Sequence, residues 1–135
     1  MTTPVALRTS DGTALPAAAQ LLDALSRRDF DALARALAPS VAFRALVPRG
    51  PFELAGSAAV AAQFEKWFGG PDTFEIVDAS IGPVGVKTYL RWRVRLRATD
   101  GAARVAEQHV FATGSAVLES INLLCSGFYT EGTTP

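Results

Sequence analysis

The spacing of hydrophobic residues changes halfway along the chain, and this change constrains the fold more than any other feature. Up to residue 71, apolar residues recur mostly at the three- and four-residue intervals of helices. Beyond residue 72, four segments rich in β-branched and aromatic residues follow one another, separated by turns that contain glycine. Helices followed by consecutive strands predict an α+β domain in which about three N-terminal helices cover a strongly bent antiparallel sheet.

Three helices are predicted in the first half. Pro16 suits the first turn of the first helix, which carries a leucine and alanine stripe. Asp29 is the expected N-cap of a second, shorter helix that ends at Pro39. Ser57 is the expected N-cap of the third helix, which ends at Gly69.

The length and composition predict one domain. The 135 residues are 49% hydrophobic, which is enough for one core, so a single domain is expected over residues 1–135. Within it, residues 1–15 are predicted as a loose lead-in and residues 129–135 as a C-terminal tail. Residues 40–48 are predicted as a strand, and the Pro- and Gly-containing residues 48–56 as a loop.

Charge and cysteine content exclude several functions from our expectations. Lys plus Arg and Asp plus Glu both number 13, so we expect neither nucleic acid nor a membrane as a partner. The single Cys125 allows no intrachain disulfide, and no Cys/His cluster suggests a metal site. The first residues do not resemble a secretory signal, so a cytoplasmic location is predicted. P-loop, dinucleotide-binding and nucleophile-elbow motifs are absent from the sequence, and no cofactor is expected.

The turn at Asp100-Gly101 predicts how the second half of the sheet pairs. A two-residue hairpin loop there places Val94 opposite Glu107 and Trp92 opposite His109. A second turn centred on residues 114–115 would then bring Asn122 beside Glu107. The expected cavity wall therefore combines polar groups with a surrounding apolar frame. Its predicted ligand-binding residues are Leu90, Trp92, Val94, Phe111, Ser120 and Asn122 on the strands, with Phe64 and Trp67 on the third helix.

Glu107 and His109 are the candidate catalytic residues. In an apolar wall, desolvation would raise the pKa of Glu107 and let it act as a general acid or hydrogen-bond a carbonyl. His109 would be its acid/base partner, because an imidazole can both donate and accept a proton. The alternative for both is structural: each simply satisfies the other's hydrogen bonds, or those of Asn122 and Ser120.

The opposite surface of the sheet is predicted to be a homodimer interface. In the same register it combines Arg91, Arg93 and Arg95 with Ile121 and Leu123, a mixture that suits a partner subunit better than solvent. Cys125 would lie on this surface as an interface residue, without a base that could activate its thiol.

Three stretches, "LSRRDFDALARALAPSVAF", "AGSAAVAAQFEKWF" and "SINLLCSGF", together with the order of elements, resemble the nuclear transport factor 2-like superfamily. The resemblance covers nearly the whole chain and implies a cone, in which a bent sheet wraps around helices and leaves an apolar cavity. Members include ketosteroid isomerase, SnoaL-type polyketide cyclases, limonene epoxide hydrolase and proteins that only bind or scaffold. The fold alone does not select among these activities.

Comparison with ketosteroid isomerase tests the resemblance residue by residue. Glu107 matches the protonated aspartate of the oxyanion hole, but Ala45 stands at the position of the general base and Leu21 at that of the tyrosine. This chain therefore lacks the known isomerase set, and the aspartate–arginine–aspartate set of the epoxide hydrolase also finds no match. The cyclase pattern needs only an acid in the cavity, which Glu107 or His109 would supply.

Two functions remain open from the sequence. The first is a dimeric protein that binds a small, mostly apolar ligand in the cone, with isomerase-, cyclase- or dehydratase-like proton transfer if it is an enzyme. The second is a non-catalytic binding or assembly module whose cavity is partly filled by its own side chains. The alanine at position 45 favours the second.

Overall fold

The structure is a computed structural model that describes residues 14–99 and 101–130. The predicted lead-in lies outside these residues up to position 13, as does most of the predicted tail. The helices within the described part are α1 (Leu15–Ser26), α2 (Phe30–Arg35) and α3 (Ser57–Phe68). The strands are β1 (Leu37–Val47), β2 (Gly50–Ala55), β3 (Thr73–Val84), β4 (Lys87–Arg97), β5 (Arg104–Gly114), β6 (Leu118–Cys125) and β7 (Tyr129–Thr130).

Each helix begins at or next to a residue that is suited to a helix N-terminus. Pro16 lies in the first turn of α1, where its missing N–H would have no helical partner. Asp29 caps α2, because its carboxylate accepts a hydrogen bond from the Ala32 N–H at 3.0 Å. The predicted N-cap of α3 is wrong by one residue: Gly56 is the cap, with φ of 96°, and Ser57 is already helical.

The strands form one sheet in the order β2-β1-β6-β5-β4-β3, and the short β7 also pairs with β5. Neighbouring strands are antiparallel except β1 and β6, which are parallel. The α+β prediction is therefore confirmed, with one parallel pair in an otherwise antiparallel sheet. The predicted loop at residues 48–56 is wrong, because most of it is the edge strand β2, where Pro51 is tolerated.

The helices cover one face of the sheet, which we call the inner face; the opposite one is the outer face. The inner face carries alternate residues of each strand, such as Phe43, Trp92, Val110 and Ile121, all of which are buried. They pack with Leu21, Leu25 and Phe64 of the helices in one apolar core. The fold thus buries one face of the sheet and leaves the other open.

The predicted pairing of β4 with β5 is wrong by one residue. Arg93 lies opposite Glu107, and Trp92 opposite Gln108, because the connection between the strands is one residue longer than a two-residue loop requires. A one-residue slip moves every side chain of a strand to the other face. Glu107 and His109 consequently lie on the outer face with the arginines, and the uncharged Gln108 is buried in their place.

The β5–β6 hairpin turns later than predicted. Phe111 pairs with Asn122, and a bulge between Thr113 and Gly114 precedes the turn. The pairing differs from the predicted one by four residues, so the strand faces are unchanged: His109, Ser120 and Asn122 do share one face, as predicted. That face is the outer one, and Ile121 and Leu123, predicted at the outer interface, are buried in the core.

Candidate functional site

The candidate site is a concave region around Trp67, near the C-terminal end of α3. Three hollows of about 590, 670 and 470 Å³ share this indole. We call the three hollows together the mouth. Its walls come from the β1–β2 turn, α3, the β4–β5 connection, the start of β5 and residues 125–130. The lining side chains that carry the argument below are Arg49, Phe52, Lys66, Trp67, Arg104 and Phe128.

Aromatic rings form the apolar wall of the mouth. The Trp67 ring packs edge-on against Phe64 at 5.5 Å and against Phe52 at 6.3 Å between centroids. Phe128 packs against Phe68, which in turn contacts Trp67. Edge-to-face packing of this kind is favourable and restrains the rings. The mouth therefore offers a shaped aromatic surface with polar atoms at its rim.

Deeper in the fold, the space between helices and sheet is filled by side chains. Trp92 is fully buried, and its indole N–H donates to the Gln108 carbonyl oxygen at 2.9 Å. The Gln108 amide N–H in turn lies 3.3 Å from the Cys125 sulfur. Leu90, Val94 and Phe64 are buried around this group. The prediction that Leu90, Val94, Phe64 and Trp92 line an open cavity is therefore wrong. Among the predicted ligand-binding residues on the inner side, only Trp67 lines the mouth.

Glu107 and His109 belong to a chain of hydrogen bonds on the outer face. The Tyr89 hydroxyl lies 2.6 Å from His109 Nδ1, and His109 Nε2 lies 2.8 Å from Glu107 Oε2. Arg93 Nε donates to the other carboxylate oxygen of Glu107 at 3.0 Å. The tautomer with its proton on Nε2 satisfies both imidazole bonds, since Nδ1 then accepts from Tyr89. None of these four side chains lines the mouth.

The surroundings of Glu107 lower its pKa, in contrast to the predicted increase. Partial burial by itself would raise the pKa of this carboxyl, but hydrogen bonds from His109 and Arg93, together with the arginine charge, outweigh it. Glu107 is therefore held as a carboxylate, which accepts hydrogen bonds and is poorly suited to act as a general acid. Its catalytic role, like that of His109, stays a prediction without the cavity that motivated it.

The remaining predicted ligand residues also lie on the outer face. Phe111 and Asn122 line a hollow of about 560 Å³ beside Arg44 and Leu124. Ser120 is outside this hollow, and its hydroxyl is hydrogen-bonded to that of Thr113. Arg44 forms an ion pair with Glu53 at 3.5 Å. The predicted set is thus divided between the mouth, the core and the outer face.

Several residues of the mouth were missed by sequence reasoning. Phe52 belonged to a segment predicted as loop, and Phe128 follows the last predicted strand. Arg104 was one of many arginines, with no local motif around it. Gln108 lies in the core and not in the mouth, and its burial could have been predicted. It is the one neutral polar residue between two titratable ones on β5, and burying a neutral amide costs less free energy than burying a charge.

Among the described residues, no group of three or more His, Cys, Asp or Glu side chains is arranged to hold a metal ion. The helices of the described part are also too short or too polar to span a bilayer.

Comparisons with known proteins agree with the architecture. The structure resembles Bal32a from a soil-derived mobile gene cassette, with a TM-score of 0.68 and 13% identity over 89% of this chain and 92% of that one. It also resembles a putative polyketide cyclase from Xanthomonas campestris pv. campestris, with a TM-score of 0.67 and 17% identity over 85% and 91% of the two chains. An epoxide hydrolase from M. tuberculosis matches with a TM-score of 0.63 and 16% identity over 84% and 83%.

At these identities the structural matches establish the fold and no shared activity. A comparison with curated proteins gives no significant match. Residues 18–117 match the SnoaL-like domain, and this match covers most of the helices and most of the sheet. The chain therefore belongs to the SnoaL-like domain family of the nuclear transport factor 2-like fold.

Proposed function

We propose that this protein binds a small, mostly apolar, ring-bearing molecule in the mouth, and that the mouth is a binding site rather than a catalytic one. The observation that carries the proposal is the convergence of three hollows on Trp67, with Phe52 and Phe128 on the adjoining walls. Pockets lined by aromatic side chains with a few polar groups at the edge are typical of small-molecule sites.

The lining chemistry favours binding over catalysis. No aspartate, glutamate or histidine is among the described lining residues of the mouth. Ala45, which occupies the general-base position of the isomerase resemblance, is a buried methyl group on the inner face. A proton-transfer enzyme that uses a carboxylate or an imidazole would need one of these groups within reach of the ligand. Glu107 and His109 lie on the opposite face of the sheet and cannot reach a molecule seated beside Trp67.

The test is calorimetric titration with 2-naphthamide, a neutral two-ring molecule small enough for each of the two larger hollows. Stacking and burial of such a ring should give a dissociation constant of about 1 mM or tighter. Trp67→Ala should weaken binding about tenfold, since it removes the shared aromatic surface, whereas Trp67→Phe should retain most of the affinity.

Variants of the outer face serve as the comparison for this titration. Glu107→Gln and His109→Ala should bind 2-naphthamide as the wild type does, because neither side chain lines the mouth. Failure of the wild type to bind, or equal binding by wild type and Trp67→Ala, would contradict the proposal. Native mass spectrometry of the purified protein adds an independent readout, since a co-purifying small molecule should be lost in Trp67→Ala.

We also propose that two copies associate through the outer face, on a revised set of residues. Leu46, Phe111 and Leu124 are 50%, 38% and 50% exposed. Leu46 and Leu124 are paired across β1 and β6, and Phe111 lies diagonally to Leu124 on β5. Arg91 and Arg93, from the predicted interface, flank this patch and are neutralised within the chain by Asp78 and Glu107. An exposed apolar patch with paired charges beside it suits a second copy better than solvent.

A further inference from the structure

The rim of the mouth is positively charged. Lys66, Arg97 and Arg104 line the 590 Å³ hollow, and Arg49 lines the other two. Arg104 also lines the 670 Å³ hollow, and Lys66 the smallest one. Among the described residues that line the three hollows, no side chain carries a negative charge. The formal net charge of the chain is zero, so this excess of cations is local.

Four arginines elsewhere in the described part are paired with acidic side chains, which distinguishes them from the cations of the mouth. On the outer face, Arg91 lies 2.8 Å from Asp78 and Arg93 lies 3.0 Å from Glu107. Arg95 and Arg44 are similarly paired with Glu75 and Glu53. The four cations of the mouth form no ion pair with any described acidic side chain. The cations that line the mouth therefore differ from these four arginines in having no described acidic partner.

Arg104 is the best placed of the four to contact a ligand. It lines two of the hollows, and its guanidinium lies over the Phe128 ring at 5.6 Å from the centroid. A cation–π contact of this kind holds the guanidinium against the aromatic wall. Its planar set of donors matches the two oxygens of a carboxylate.

Unpaired cations beside an apolar wall favour an anion in the space between them. Their mutual repulsion is relieved when one negative charge enters, and the aromatic surface excludes part of the screening water. All four residues are exposed, so salt should weaken the effect. A ligand with an apolar ring system and one anionic group would use both parts of the mouth.

We propose that the mouth selects ring-bearing carboxylates, with Arg104 as the principal contact of the carboxylate and Arg49, Lys66 and Arg97 contributing charge. This inference rests on the proposed binding function and adds the chemical class of the ligand. The aromatic wall recognises the ring system, and the cations distinguish an acid from its neutral amide or alcohol.

The experiment compares 2-naphthoate with 2-naphthamide, which differ little in shape and by one full charge. At low salt, wild-type protein should bind the carboxylate about tenfold more tightly than the amide, and this preference should shrink as salt is added. Arg104→Gln should reduce the preference about fivefold, measured as the ratio of the two dissociation constants in the same variant. Arg49→Gln, in the exposed β1–β2 turn, should reduce the preference less and serves as a second variant.

Arg35→Gln is the matched control, since Arg35 is an exposed arginine in the last turn of α2 and lines no part of the mouth. It removes the same charge and should keep the wild-type preference for 2-naphthoate. Equal affinity of the wild type for both compounds would overturn this inference and leave the proposed binding function standing. Absence of binding by both compounds would instead remove the proposed function, and this inference with it. An equal loss of preference in Arg35→Gln and Arg104→Gln would also overturn it, because the effect would then come from net charge.

Discussion

At the scale of single residues, the buried amide of Gln108 is the polar centre of the core. It accepts from the Trp92 indole and donates toward Cys125, and all three side chains are buried. A buried polar group is costly mainly when its partner is removed, because the remaining group is left without a hydrogen bond. Gln108 and Trp92 therefore stabilise the fold as a pair.

A double-mutant cycle tests this pairing. Gln108→Leu should lower the free energy of unfolding by about 1–3 kcal/mol, because the indole N–H loses its acceptor. Adding Trp92→Phe to Gln108→Leu should cost at least about 1 kcal/mol less than Trp92→Phe costs in the wild type, since no unpaired donor then remains. Urea unfolding of the four proteins gives the coupling energy, and additive effects would contradict the pairing.

Thr88→Val is the control for this cycle. Thr88 is also fully buried, but its hydroxyl has no hydrogen-bond partner among the described residues. Replacing it by an isosteric methyl should leave the free energy of unfolding unchanged or increase it, because no hydrogen bond is broken. A loss comparable to that of Gln108→Leu would mean that volume, and not hydrogen bonding, determines the cost at these positions.

The same strand explains why the sequence predicted the wrong face. Alternate residues of β5 are Val105, Glu107, His109 and Phe111 on one face, with Ala106, Gln108 and Val110 among those on the other. Both sets contain apolar residues, so alternation alone does not select the buried face. The buried face is selected by the free-energy cost of burying the two titratable side chains, Glu107 and His109. This cost favours burial of the set that contains the neutral Gln108.

At the scale of elements, the β5–β6 hairpin depends on a glycine at its bulge. Gly114 has φ of 156°, and a Cβ placed there would collide with the Val117 carbonyl oxygen and lie 2.9 Å from the Leu118 Cα. Backbone atoms of a hairpin cannot move aside as a flexible side chain can. Glycine is therefore required at position 114 for two reasons: there is no room for a Cβ, and the backbone conformation disfavours other residues.

We expect Gly114→Ala to lower the free energy of unfolding by about 1–3 kcal/mol. Gly82→Ala is its control, since Gly82 also lies in a strand but a Cβ there would meet no atom within 4 Å. This control should change stability by no more than about 0.5 kcal/mol. Chemical denaturation of both variants provides the comparison. Equal stability of the two would show that the hairpin can relax around an added methyl group.

The elements themselves were largely predictable, with one instructive exception. The periodicity placed α1 from Pro16, one residue after its observed start at Leu15, and the Asp29 cap of α2 was correct. The strand β2 was missed because Gly50 and Pro51 are typical of loops. Proline is tolerated there because β2 is an edge strand, in which half of the backbone N–H groups need no partner.

At the scale of the whole molecule, the proposed association of two copies through the outer face can be measured directly. We expect the purified protein to have twice the 14.3 kDa mass of one chain. Leu124→Glu should shift the population to monomers, because it adds a negative charge to the centre of the exposed apolar patch. Sedimentation equilibrium over a range of concentrations measures this directly. A monomeric wild type at all concentrations would contradict association through this face.

Val86→Glu is the matched control for the association measurement. Val86 is 78% exposed and lies in the β3–β4 turn, away from the patch formed by Leu46, Phe111 and Leu124. The same change of side chain there should leave the proposed association unchanged. Dissociation in both variants would indicate a general effect of added negative charge.

The fold could be predicted from the sequence, whereas the candidate site could not. The order of helices and strands and three local stretches sufficed to identify the superfamily. The mouth is assembled from the β1–β2 turn, α3, the β4–β5 connection and residues 125–130, which are far apart in the chain. Only the fold brings Trp67, Arg104 and Phe128 to the same hollow, and no local sequence pattern records that arrangement.

The chain contains two tryptophans, and the fold has given them different surroundings. Trp92 is sealed in the core beside Gln108, while Trp67 lies partly open in the mouth. The intrinsic fluorescence of the protein should therefore contain a blue-shifted component from Trp92, which reports unfolding. It should also contain a component from Trp67 that quenchers can reach and that reports ligand binding in the mouth. Each process can thus be followed by the emission of one tryptophan. A single Trp67→Phe substitution would remove the signal for ligand binding and keep the Trp92 signal for unfolding.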